Sequence, residues 1–77
     1  MSVHDQLLAL AGRRAQEILA LPPDQREAQY VAMRAEHRVK ANALGMPGDA
    51  VEELVEEMED TVRNLVARTE ESGPDAA

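Results

Sequence analysis

Apolar residues in the last third of the chain fall at Val51, Val55, Met58, Val62 and Leu65, in alternating steps of four and three, with Leu54 and Val66 beside them. Steps of that size keep side chains on one face of a 3.6-residue turn. The pattern therefore predicts a helix with one narrow apolar stripe that packs on one side only. Near the start of the chain, Val3, Leu7, Leu8, Leu10, Ala11, Ala15, Ile18, Leu19 and Leu21 spread over nearly half a helix circumference. One partner helix cannot cover so wide a face, so the first helix is expected to lie between two neighbours.

The middle of the chain carries two apolar rows. At about 100° per residue, Ala28, Val31, Ala35 and Val39 form one row, and Tyr30, Met33, His37, Ala41 and Leu44 form a second on the opposite side. The small Ala and Val row suits close packing inside a subunit. Tyr, Met and His are amphipathic or adaptable and commoner at interfaces, so Tyr30, Met33, His37 and Leu44 are expected to form a partner or dimer interface. The alternative is that both rows are buried within one three-helix subunit.

Punctuation sets the boundaries. Ser2 and Asp5 have capping-box spacing, with Asp in place of the usual Glu or Gln. Pro22 and Pro23 end the first helix, and Pro23 suits the first turn of the second. Gly45 stands where a left-handed C-terminal cap is wanted, Met46 can fold back on the last turn, and Pro47 blocks continuation. Asp49 and Glu52 have the spacing of a second capping box, and Ser72, Gly73 and Pro74 stop the third helix. The expectation is an all-α, three-helix domain with helices at about 3–21, 23–44 and 49–71. Residues 1–72 form that single domain and 73–77 a disordered tail.

Length and composition sharpen the picture. A chain of 77 residues with no Phe, Trp or Cys, and with Tyr30 as its one aromatic ring, must build its core from Leu, Val, Ile, Met and Ala. Such a core is marginal at this size, so self-association as a helical homodimer is expected. The lack of cysteine excludes a disulfide framework and thiolate metal sites and fits a reducing, cytoplasmic compartment. No apolar run reaches the length of a membrane span, and the first twenty residues lack the basic start and continuous apolar stretch of a signal peptide.

Most of the formal charge of −7 comes from the third helix. Glu52, Glu53, Glu56, Glu57, Glu59 and Asp60 are expected on the side opposite its apolar stripe, as a solubilising face or as a surface for a basic partner. That charge disfavours nucleic acid and anionic membranes as direct ligands. The spacing of Ala41, Gly45 and Val51 resembles the turn of helix-turn-helix DNA readers over a short stretch. The second helix would then bring Asp49, Glu52, Glu53 and Glu56 towards phosphates, so the resemblance implies a packing corner without DNA binding.

The combinations that catalysis needs are missing. The chain has no glycine-rich phosphate loop and no cysteine nucleophile. Ser2 and Ser72 stand at the two ends, and His4 and His37 are far apart without Glu-x-x-His spacing. No enzyme activity, cofactor or metal is expected. His37 is the residue suited to act as a switch, since protonation near pH 6 would place charge in the interface row. Ala76 and Ala77 also resemble small apolar ends read by bacterial unfolding proteases.

The expected function is that of a small acidic, non-catalytic protein–protein interaction module, an adaptor, assembly factor or regulator that binds another protein or itself. Two alternatives remain open. One is a phage-type acidic inhibitor that mimics nucleic acid through the third helix. The other is a structural subunit of a larger assembly.

Overall fold

In the computed structural model, which describes residues 2–72, the chain forms three helices: α1 (Val3–Leu19), α2 (Pro23–Ala43) and α3 (Gly48–Ser72). The described residues contain no strand. The tail expected at 73–77, with Ala76 and Ala77, lies outside the described residues.

Local chemistry sets most of the boundaries. Ser2 caps α1, its Oγ accepting a hydrogen bond from the Asp5 N–H at 3.1 Å. The helix stops at Leu19, short of Leu21. Pro22 disfavours helical geometry in the residue before it, and the Leu21 N–H turns back to the Ile18 carbonyl at 3.0 Å. Pro23 then occupies the first helical position of α2, where a missing N–H costs nothing.

Two residues close α2. Gly45 has φ of 81°, and its N–H reaches the Asn42 carbonyl while the Met46 N–H reaches back to Ala41 at 3.3 Å. This is the Schellman arrangement, which needs a left-handed residue at that position. Met46 folds onto a small cluster of Ala41, Val51 and Val55. The second expected capping box does not form. α3 begins one residue earlier, at Gly48, and Val51 N–H bonds the Pro47 carbonyl at 2.9 Å. Asp49 thus sits inside the first turn, where its charge still favours the helix dipole, and Glu52 turns to Arg38 instead.

The packing order differs from the one the apolar face widths predict. α3, with the narrowest stripe, is the shared element: α1 and α2 each pack along it and touch each other only lightly. A narrow stripe aimed at the seam between two helices is covered by both. Val51, Val55, Met58, Val62 and Val66 are buried there. α1 buries Ala11, Ala15 and Ile18 but leaves Val3 and Leu8 exposed, so it does not lie between two neighbours.

The two rows of α2 are reversed from expectation. Tyr30, Met33 and His37 are 4%, 1% and 5% exposed and face the subunit interior, with Ala41 also buried. The small row faces solvent, with Val31 and Val39 at 51% and 69% exposure and Ala28 and Ala35 exposed beside them. Size explains the choice. Because α1 and α2 touch each other only lightly, the space where the three helices meet is filled by long side chains, and Met33 and Tyr30 reach where Ala and Val cannot. Only Leu44, at the end of the inward row, emerges, at 80% exposure.

Candidate interaction surfaces

The orientation of α2 creates an ionic seam along α3. Arg38 donates from Nε and Nη2 to the two carboxylate oxygens of Glu52, at 2.8 and 2.9 Å. Arg34 Nη1 reaches Glu59 Oε1 at 3.0 Å, and Arg63 Nε reaches Glu59 Oε2 at 2.8 Å. The same Arg63 holds Glu27 at 2.7 Å and lies over the Tyr30 ring, 3.9 Å from its centroid. Arg26 closes the far end by donating to the Leu21 carbonyl and to Glu70.

These contacts displace titrations in the expected directions. Hydrogen bonds from Arg63 and Arg38 hold the carboxyls of Glu27 and Glu52 below the usual range. The Glu27 bond, and with it the Glu59 bond, raises Arg63 further above its already high value. Burial pushes the Tyr30 phenol up. Exposed pairs such as Arg38–Glu52 add little stability, whereas Glu59, largely buried and held by two guanidiniums, fixes the register of α2 on α3.

The acidic face is therefore smaller than the sequence implies. Of the six carboxylates, Glu52 and Glu59 are committed to α2 arginines. Among the described residues, Glu53, Glu56, Glu57 and Asp60 have no ion pair. Glu56 and Asp60 form one wall of a groove of about 570 Å³, whose other wall is Val31, Ala35, Arg34 and Arg38 of α2. Val31 and Ala35 of the outward row of α2 line this groove. It was the inward row that appeared suited to an interface, and burial removes Tyr30 and Met33 from any surface.

The other half of that row leads to a second opening. His37, Ala41 and Leu44 border a cleft of about 170 Å³ with Leu7 and Leu10 of α1 and Leu54 and Met58 of α3, and Lys40 stands at its edge. Neither ring nitrogen of His37 has a hydrogen-bond partner. Burial lowers its pKa, helped by the Arg14 charge and, to a smaller extent, Lys40, while Glu36 opposes them.

The sign of the resulting pH effect follows directly. A histidine whose folded pKa lies below the unfolded value, near 6.5, takes up its proton first in the unfolded chain. Stability is complete above that value and falls as pH drops through the folded pKa. The urea midpoint is expected to decrease between about pH 7.5 and pH 5, and His37→Leu to flatten that dependence, as equilibrium unfolding monitored by circular dichroism will show. The charge is thus placed inside the subunit, where acid loosens the fold.

Among the described residues, no three His, Asp or Glu side chains converge as a metal site, and no helix is long and apolar enough to cross a membrane. No protein-family model, curated protein or solved structure matches the chain. Apolar periodicity singles out neither the seam nor the cleft, and it finds the outward row while assigning it to the subunit interior. The seam did leave a signal: Arg38 and Glu52 are equally distant from Gly45 along the chain, as are Glu27 and Arg63. Opposite charges mirrored about a turn are what an antiparallel helix pair produces.

Proposed function

We propose that this chain is a small acidic, non-catalytic protein–protein interaction module, an adaptor, assembly factor or regulator, that binds through the outward row of α2. One observation carries this reading: α2 is apolar on two opposite faces, one filled by α1 and α3, the other left to solvent at Val31 and Val39. Charged and polar residues flank that row, as they do the rim of an interface. Ala28, Ala32 and Ala35 along it let a second helix approach closely. A second copy supplies a matching row by symmetry, so a homodimer pairing α2 with α2 is the simplest assembly. A cytoplasmic setting accords with the absence of cysteine.

The double change Val31→Glu and Val39→Glu tests it. Both positions are exposed helix sites and Glu forms helix well, so helicity should persist. Sedimentation equilibrium is expected to show a wild-type dimer and a monomeric variant, an apparent dissociation constant raised about 100-fold or more. Identical association of the two proteins, together with undiminished capture of any copurifying partner, would exclude the row as the binding surface. The nucleic-acid mimic reading has fewer carboxylates to draw on, with Glu52 and Glu59 committed elsewhere.

A further inference from the structure

The groove between α2 and α3 joins an apolar lining to a charged rim. Val31 and Ala35 of the outward row and Val55 of α3 supply the lining. On the α2 side the rim charge is already met within the subunit, Arg34 by Glu59 at 3.0 Å and Arg38 by Glu52 at 2.8 Å. On the α3 side it is not. Glu56 and Asp60, one helical turn apart and both exposed, have no ion pair among the described residues. Glu53 and Glu57, equally exposed, continue that negative charge around α3.

A second copy does not answer this charge. Of the eight basic residues in the chain, Arg14, Arg26, Arg34, Arg38, Lys40 and Arg63 each pair with a carboxylate of their own subunit. The other two, Arg13 and Arg68, lie on α1 and α3. The α2 of a second copy would therefore bring an apolar row to the groove and no uncommitted cation to Glu56 and Asp60.

We propose that this groove receives a basic amphipathic helix of a different protein, its apolar ridge on Val31, Ala35 and Val55 and a row of Lys or Arg against Glu56 and Asp60. From Glu52 to Asp60 the groove follows α3 for about 12 Å, the length of two to three helical turns. Given the outward row of α2 as the binding surface, on which this site rests, apolar packing supplies the area and the carboxylates choose the sign of the partner. The homodimer and the basic helix cover the same row, so each displaces the other.

Fluorescence anisotropy of the full chain tests the site. The probe is a labelled peptide of about 14 residues, four turns of helix, with a ridge of Leu and Ala and with Lys at i, i+4 along one flank. Saturable binding is expected, with a dissociation constant on the order of 10 μM. A peptide with Glu at every Lys position should not bind, and a scrambled one without the ridge should bind about tenfold more weakly. Glu56→Gln with Asp60→Asn should weaken the Lys peptide about tenfold and leave self-association as in the wild type, since both carboxylates lie off the apolar row. Ala35→Gln, which puts a long polar side chain into the groove, should weaken it by a similar factor. Equal affinity for the scrambled peptide, or unchanged affinity in the neutralised variant, would overturn the proposal, because overall charge and not the groove would then hold the peptide. No binding of the Lys peptide, with self-association still lost on Val31→Glu and Val39→Glu, would overturn the basic partner and leave the row to a second copy. No binding, with self-association indifferent to that double change, would overturn the row as well.

Discussion

Met33→Asp is expected to abolish cooperative folding at neutral pH. Met33 is among the largest side chains that are fully buried, and it sits in the cluster where all three helices meet. Its removal forfeits about 1.5–3 kcal/mol of burial, and an unpaired carboxylate there costs several more. A chain of this length has a total stability of roughly 4–12 kcal/mol. The variant should lose most far-UV ellipticity and its dispersed amide spectrum, whereas Met33→Leu, similar in volume, should retain both. A surface position would tolerate the charge, so a folded, native-like Met33→Asp would mean that the inward row of α2 had been placed on the wrong side.

Arg63→Ala should be the most damaging change among the charged residues, lowering stability by about 1–3 kcal/mol and the urea midpoint by about 1 M or more. The guanidinium stacks on Tyr30 and is one of two partners of the largely buried Glu59. The exposed Glu27 contact adds little. Arg63→Lys should recover only part of the loss, because an ammonium cannot stack on the ring and fork to two carboxylates at once. Arg38→Ala, which removes a solvent-exposed pair, should leave the midpoint nearly unchanged. Similar midpoints for the two alanine variants would show that the stack on Tyr30 contributes nothing.

Both results bear on the same choice, which face of α2 turns inward. Periodicity along the chain finds the two rows, with Leu44 alone leaving the inward one, because the 3.6-residue repeat is a property of the helix alone. It could not rank them. An apolar row is a necessary feature of a buried face and an equally good feature of an exposed binding face. Side-chain chemistry favours Tyr, Met and His for the interface, but the space where α1 and α2 meet α3 takes long side chains at its centre. Val31 and Val39 were left outside as a consequence.

Helix number, type and boundaries were legible because caps, prolines and Gly45 act over a few residues. Ser2, Pro22, Pro23 and the Gly45 cap do in the fold what their local chemistry dictates. The Asp49 box does not form because α3 starts at Gly48, which places Asp49 inside the first turn, and Glu52 pairs with Arg38, a partner that only the side-by-side packing of α2 and α3 supplies. The same reasoning applies to the acidic face. Its six carboxylates were countable in sequence, but which of them meet arginines depends on the register of two helices.

What the sequence alone determined, then, is the set of three helices, the apolar stripe of α3 and the two-faced character of α2, all consequences of contacts within a few residues. The tertiary structure decided which face of α2 is covered, that α3 is the shared element, and that His37 stands unpartnered beside an apolar cleft. Those outcomes depend on volumes and charges brought together from distant parts of the chain, and no local pattern encodes the space between helices.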